Sequence, residues 1–143
     1  MTEVEIFNLQ SGSVQSTGLY FVGIAFSVWV AMRVSSVVSQ RAPDNMVMKI
    51  LAAAYGICVV YYLNLTNSFF AYNMELAGHR LVTLKESGGA ISPSSETFIA
   101  DVGASATPPS LSLVPSDPVG AIMSIAILGI VLLPLINPQP DNS

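Results

Sequence analysis

Three apolar runs constrain this chain more than any other feature, because each is long enough to cross a lipid bilayer. The first extends from Gly18 to Val38 with Arg33 as its one charge. The second extends from Met46 to Leu76, and the third from Pro118 to Ile136. At 1.5 Å per residue, the first and third reach about 31 and 28 Å, against a hydrocarbon core of roughly 30 Å. In the second, the stretch from Ile50 to Phe70 alone suffices. Lipid offers no hydrogen bonds to a peptide backbone, so runs of this kind fold as helices. Composition agrees: 52% of the 143 residues are hydrophobic and 10% are charged, where soluble domains average about 25% charged.

The expected fold is therefore an all-α integral membrane protein of one domain, residues 1–143. Its transmembrane helices are 18–38, 46–76 and 118–136. The remainder divides into a tail (1–17), a turn (39–45), a long loop (77–117) and a second tail (137–143). The turn is short enough to make the first two helices an antiparallel hairpin. Asp44 suits the N-cap of the second helix, and Ser116 or Asp117 that of the third, where Pro118 fits the first turn. Pro134 weakens the last turn of that helix and Asn137-Pro138 ends it.

Arg33, Arg41 and Lys49 gather around the first connection, against Arg80 and Lys85 beyond the second helix. The positive-inside rule then places the turn and the C-terminus in the cytoplasm, and the N-terminus and the long loop outside. A bacterial or archaeal cytoplasmic membrane suits this layout. The N-terminal Met1-Thr2-Glu3-Val4-Glu5 is acidic where a secretion signal is basic. Tyr20 and Phe21 fall at the level of Phe69, Phe70 and Tyr72, as an outer aromatic belt does. Five scattered basic residues build neither a nucleic-acid surface nor a polybasic lipid patch.

Two stripes suggest how the helices pack. The first helix carries Gly23, Ser27, Ala31 and Ser35 at four-residue spacing, and small residues let backbones approach closely in lipid. On the second, Ala53, Gly56, Val60, Asn64, Asn67, Ala71 and Glu75 share one arc. The expected arrangement sets these stripes face to face, with a Ser27 to Asn64 hydrogen bond and with Val59 pointing away. Buried asparagines in lipid usually bond across helices; a polar ligand pocket is the alternative. Asn64-Leu65-Thr66 matches a glycosylation sequon, but at membrane depth it is inaccessible.

Catalytic chemistry finds little to use. His79 is the sole histidine and Cys58 the sole cysteine. Glu75 and His79, at i and i+4, can place two ligands on one metal, whereas zinc needs three or four groups. Glu96 or Asp101 is a candidate third ligand, but nothing in the sequence brings either there. No nucleophile has a supporting base. Gly88-Gly89 lacks the lysine of a phosphate loop and reads as a turn. No bound cofactor or metal is expected.

Loop 77–117 is rich in Gly, Ser, Thr, Pro and Ala, yet Ser92-Pro93 starts a short helix with Ile91, Phe98, Ile99 and Val102 on one face. Leu111, Leu113 and Val114 form a second apolar cluster. These residues need burial, and a partner is the expected cover. The leading expectation is a non-catalytic accessory subunit that meets other membrane subunits through its first two helices and this loop. A homo-oligomeric or holin-like pore is one alternative, against which stand the absent charged lining and a C-terminal tail without basic residues. A redox or metal subunit whose site a partner completes is the other.

Overall fold

The computed structural model describes residues 1–113 and 117–137; among them the regular elements are all helices, without a strand. Its elements are α1 (Glu3–Arg41), α2 (Met46–Glu86), α3 (Pro93–Asp101) and α4 (Pro118–Ile136). Of these, α1, α2 and α4 are long and apolar enough to cross a membrane, as a multi-pass membrane protein requires.

Both long helices outrun their apolar segments, and local chemistry explains where they stop. Thr2 and Glu5 form a reciprocal capping box: the Glu5 N–H donates to Thr2 Oγ1 at 3.3 Å and the Thr2 N–H to Glu5 Oε2 at 2.7 Å. The box satisfies amides that helix geometry leaves without partners, so α1 starts at Glu3 rather than at Gly18. α2 continues past Leu76 to Glu86. There the Gly88 N–H donates to Lys85 O and the Gly89 N–H to Leu84 O, with Gly88 at φ +82°. This is a Schellman stop, which favours glycine at the left-handed position.

The caps largely follow the sequence. Ser92 caps α3 and Asp117 caps α4, each with proline opening the helix. Ser116 lies outside the described residues, as do Val114, Pro138 and the rest of the C-terminal tail. The expected Asp44 cap is corrected by one residue: Asn45 Oδ1 accepts from the Met48 N–H at 3.1 Å. Pro43 and Asp44 form the turn itself, which the Asn45 N–H closes onto Ala42 O.

The chain forms two compact units. The first comprises Met1–Leu19 and Thr66–Leu113. Ile6, Ala77 and Leu81 are its buried centre, with Phe7, Leu84, Ile91, Phe98 and Ile99 packed around them. Phe7 meets Phe98 edge to face at 5.8 Å. Ile91, Phe98 and Ile99, expected to seek cover from a partner, are thus partly buried within the chain itself. The first turns of α1 and the last turns of α2 supply the surface that covers them. Leu111 and Leu113 stay exposed.

Glu3 fixes α3 within this unit. Its carboxylate accepts from the hydroxyls of Ser92 and Ser95, each at 2.5 Å, and from the Ser92 N–H at 3.1 Å. A negative charge at a helix N-terminus is also favourable to the helix dipole. The Ser92 and Ser95 hydroxyls, and then the Ser92 amide, hold the Glu3 carboxyl below its usual value. A lowered carboxyl contributes stability that is fully present above its unfolded value of about 4.3 and is lost as pH falls through the folded one. Amide protection across α3 is thus expected to drop at acid pH in the wild type. Glu3→Gln should already lose it at pH 7, and unchanged protection in that variant contradicts the assignment.

The second unit comprises Tyr20–Leu65 and Val114–Ser143. Its core has two layers. Ala31, Val59 and Val131 form one, with Val28, Met32 and Ile127 against them. Val38, Ala52 and Leu135 form the other, with Val34 and Ala53. Buried positions recur every seven residues: Ile24, Ala31 and Val38 on α1, Ala52 and Val59 on α2, Ser124 and Val131 on α4. Seven-residue spacing keeps a seam on one face of a helix.

Candidate functional site

Three places hold the polar side chains that could serve a function. The first is the Glu75 and His79 pair on α2, in the first unit. Residues 102–104 pass so close to α2 that a Cβ on Gly78 would lie 2.5 Å from Ala104 Cβ and 2.7 Å from Val102 Cγ2. Glycine permits this approach, and the adjoining Ser105 carbonyl meets His79 Nδ1 at 2.9 Å. A carbonyl oxygen only accepts, so Nδ1 donates here, and Nε2 has no hydrogen-bond partner among the described residues. Glu75, His79, Ser105, Thr107 and Pro108 line an open groove of about 270 Å³.

Among the described residues, neither expected candidate adds a third ligand to the groove. Glu96 pairs with Lys85 at 2.6 Å, and Asp101 is exposed at the end of α3. Among the described residues, no three His, Cys, Asp or Glu side chains converge. What the arrangement can do alone is bind a polar group by hydrogen bonds from one side.

The second place is the polar seam of the second unit, where α4 takes the role expected of α1. Asn64 Oδ1 accepts from Ser124 Oγ at 2.9 Å, while Ser27 Oγ donates to Gly23 O within its own helix. The Ser27 to Asn64 bond is therefore corrected. Gly56 is buried against Val131, whose Cγ1 would stand 2.5 Å from an added Cβ. Ser35 is buried and donates to the Val131 carbonyl. Ala31 is buried, Ala53 and Asn67 are half-buried, and Gly23 is exposed with nothing within 4 Å of an added Cβ. Val59, expected to point away, is in the core.

The geometry of a helix explains these differences. Residues four apart drift by about 40° around the axis. By the time Ala31 and Ser35 face the core, Gly23 and Ser27 have rotated off it. The α2 stripe, spaced by threes and fours, keeps to one arc, and its last members Ala71 and Glu75 are exposed. A search for seven-residue spacing in place of four finds the buried seam.

The third place carries no sequence motif: it is a set of outward aromatic side chains halfway along the spans, on α1 and on α2. Trp29 is 57% exposed, Tyr61 51% and Tyr62 57%. Trp29 stacks on Phe26, and Tyr61 meets Tyr62 edge to face, both at 5.8 Å. Among the described residues, neither the Trp29 indole N–H nor either tyrosine hydroxyl has a hydrogen-bond partner in the chain. Their position supplies the signal. Trp29 lies within about 2 Å of the centre of 18–38, and the tyrosines lie within about 9 Å of mid-membrane in any register of 46–76. Tyrosine and tryptophan ordinarily concentrate at the membrane surfaces.

Compared with known proteins, the chain matches no family model, no curated protein and no solved structure.

Proposed function

We propose that this chain is a non-catalytic accessory or stabilising subunit of a larger membrane complex, of the kind that oxidoreductase and transport assemblies contain. The observation that carries this reading is the mid-span group of Trp29, Tyr61 and Tyr62. Lipid covers exposed leucines and isoleucines without penalty, but it offers nothing to an indole N–H or a phenol. Leaving such a group unpaired in hydrocarbon costs several kcal/mol on transfer scales, about 4–8 for an amide or hydroxyl in cyclohexane. A partner helix that presents carbonyl, hydroxyl or carboxylate acceptors removes that cost. Gly23, open on α1, supports the reading, since a bare glycine suits close approach by another helix.

In this account α1 and α2 form an antiparallel hairpin across the membrane, joined by the Ala42–Asn45 turn, with residues 1–17 and 77–117 outside. The basic residues Arg33, Arg41 and Lys49 support that orientation. With single cysteines at Thr2, Ala42 and Ser105 in a Cys58→Ser background, an impermeant thiol reagent on intact cells should label the first and third. Labelling at Ala42 alone inverts the orientation.

A redox or metal subunit completed by a partner is the second reading, and the uncommitted His79 Nε2 beside Glu75 favours it. Native mass measurement after mild extraction from the source membrane tests the first. A hetero-complex is the expected result; a ring of identical chains supports a pore instead. Metal analysis of that complex, with and without His79→Ala, separates the two subunit readings.

A further inference from the structure

A second groove in the first unit points to a lipid. Leu76, His79, Arg80, Thr83, Leu84 and Ser87 on the last turns of α2, together with Met1, line an open depression of about 420 Å³. Arg80 stands one turn, about 6 Å, beyond Leu76, where the apolar run ends. If α2 crosses the membrane, as the proposed function also assumes, this groove opens at the headgroup layer.

Several polar groups around Arg80 have partners within the chain. Thr83 Oγ1 donates to His79 O, Ser87 Oγ to Leu84 O, and His79 Nδ1 meets Ser105 O. Lys85 is paired with Glu96. Arg80 itself is half-buried and, among the described residues, has neither an ion pair nor a hydrogen bond. A guanidinium carries five donors in a planar fork that matches two oxygens of a phosphate. Leu76 and Leu84 offer apolar wall to the start of an acyl chain.

Charge narrows the headgroup. The first unit holds Glu3, Glu5, Glu75, Glu86, Glu96 and Asp101 against Arg80 and Lys85. A headgroup with net negative charge is repelled by that surface, whereas a zwitterionic one sets its phosphate on Arg80 and its ammonium toward the carboxylates. We infer that the Arg80 groove binds a zwitterionic glycerophospholipid through its phosphate.

The test is native mass spectrometry of the full chain, delipidated in detergent and then titrated with one lipid at a time. Wild type should retain one phosphatidylethanolamine, while Arg80→Gln retains roughly tenfold less at equal lipid, the scale of losing a charged hydrogen bond. Arg80→Lys should fall between them, and Arg41→Gln should match wild type. Thermal melts check that each variant is folded; should Arg80→Gln fail to fold, the Arg80→Lys decrease carries the test. Phosphatidylglycerol and a phosphate-free galactolipid should both bind more weakly, and millimolar inorganic phosphate should not displace the bound lipid. Equal retention of the galactolipid, or full retention by Arg80→Gln, overturns the proposal. Displacement by free phosphate or tighter phosphatidylglycerol binding overturns the choice of a zwitterionic lipid. None of these results depends on a partner subunit, so this inference and the proposed function fail separately.

Discussion

Gly56→Leu should collapse the second unit, lowering its stability by about 3 kcal/mol or more. Even the first added carbon would lie 2.5 Å from Val131 Cγ1. Val131 is fully buried, and its β-branched side chain stands in a core layer with Ala31 and Val59. Such a side chain has little rotamer freedom in a helix, so the helices must separate to admit the new one. Overpacking a tight core typically costs about 1–3 kcal/mol, and more when backbones must move. Gly23→Leu is the control, since nothing lies within 4 Å of its added Cβ. In the isolated chain it should be neutral or mildly stabilising, by up to about 1 kcal/mol of helix propensity. Thermal melts in one detergent give both values, and equal loss in the two variants contradicts the packing of α4 on Gly56.

The Tyr61→Ala/Tyr62→Ala double variant should behave in the opposite way. Neither ring fills the core, so the isolated chain should melt within about 0.5 kcal/mol of wild type, as surface changes usually do. Its assembly should suffer heavily. Aromatic anchors at interfaces commonly cost about 2 kcal/mol or more when truncated. Two of them amount to a loss of several hundredfold in association, read as the fraction of chain recovered in a complex after mild extraction. Substitution with phenylalanine removes the hydroxyls while keeping the rings, and an intermediate loss assigns part of the effect to their hydrogen bonds. Full assembly by the alanine variant removes the main support for a partner at this face.

The residues show why some of this architecture was legible in the sequence. The apolar runs gave the three long helices directly, because hydropathy sustained over some twenty residues is the mark of a membrane span. Ser92-Pro93 and Asp117-Pro118 announced α3 and α4 through local chemistry that acts within one turn. Thr2…Glu5 carried an equally local signal for the start of α1, but reading 1–17 as a tail passed over it. Helix faces were harder. A four-residue stripe and a seven-residue seam overlap for a turn or two and then diverge, so Ala31 and Ser35 are buried while Gly23 and Ser27 turn off that face. Contacts between distant segments were beyond reach: nothing near Glu3 indicates that it binds Ser92 and Ser95, and nothing near Asn64 selects Ser124. The candidate Glu75 and His79 pair was visible from its spacing. That Glu96 turns instead to Lys85 depends on where α3 docks.

A partner across the mid-membrane face is the centre of this account, and a photo-cross-linker tests it in place. A photoreactive phenylalanine analogue at position 62, expressed in the source organism and irradiated in intact membranes, samples whatever lies against that surface. The account predicts a discrete adduct with a different membrane protein, absent without irradiation. Lipid adducts alone, or cross-links only between copies of this chain, would contradict it.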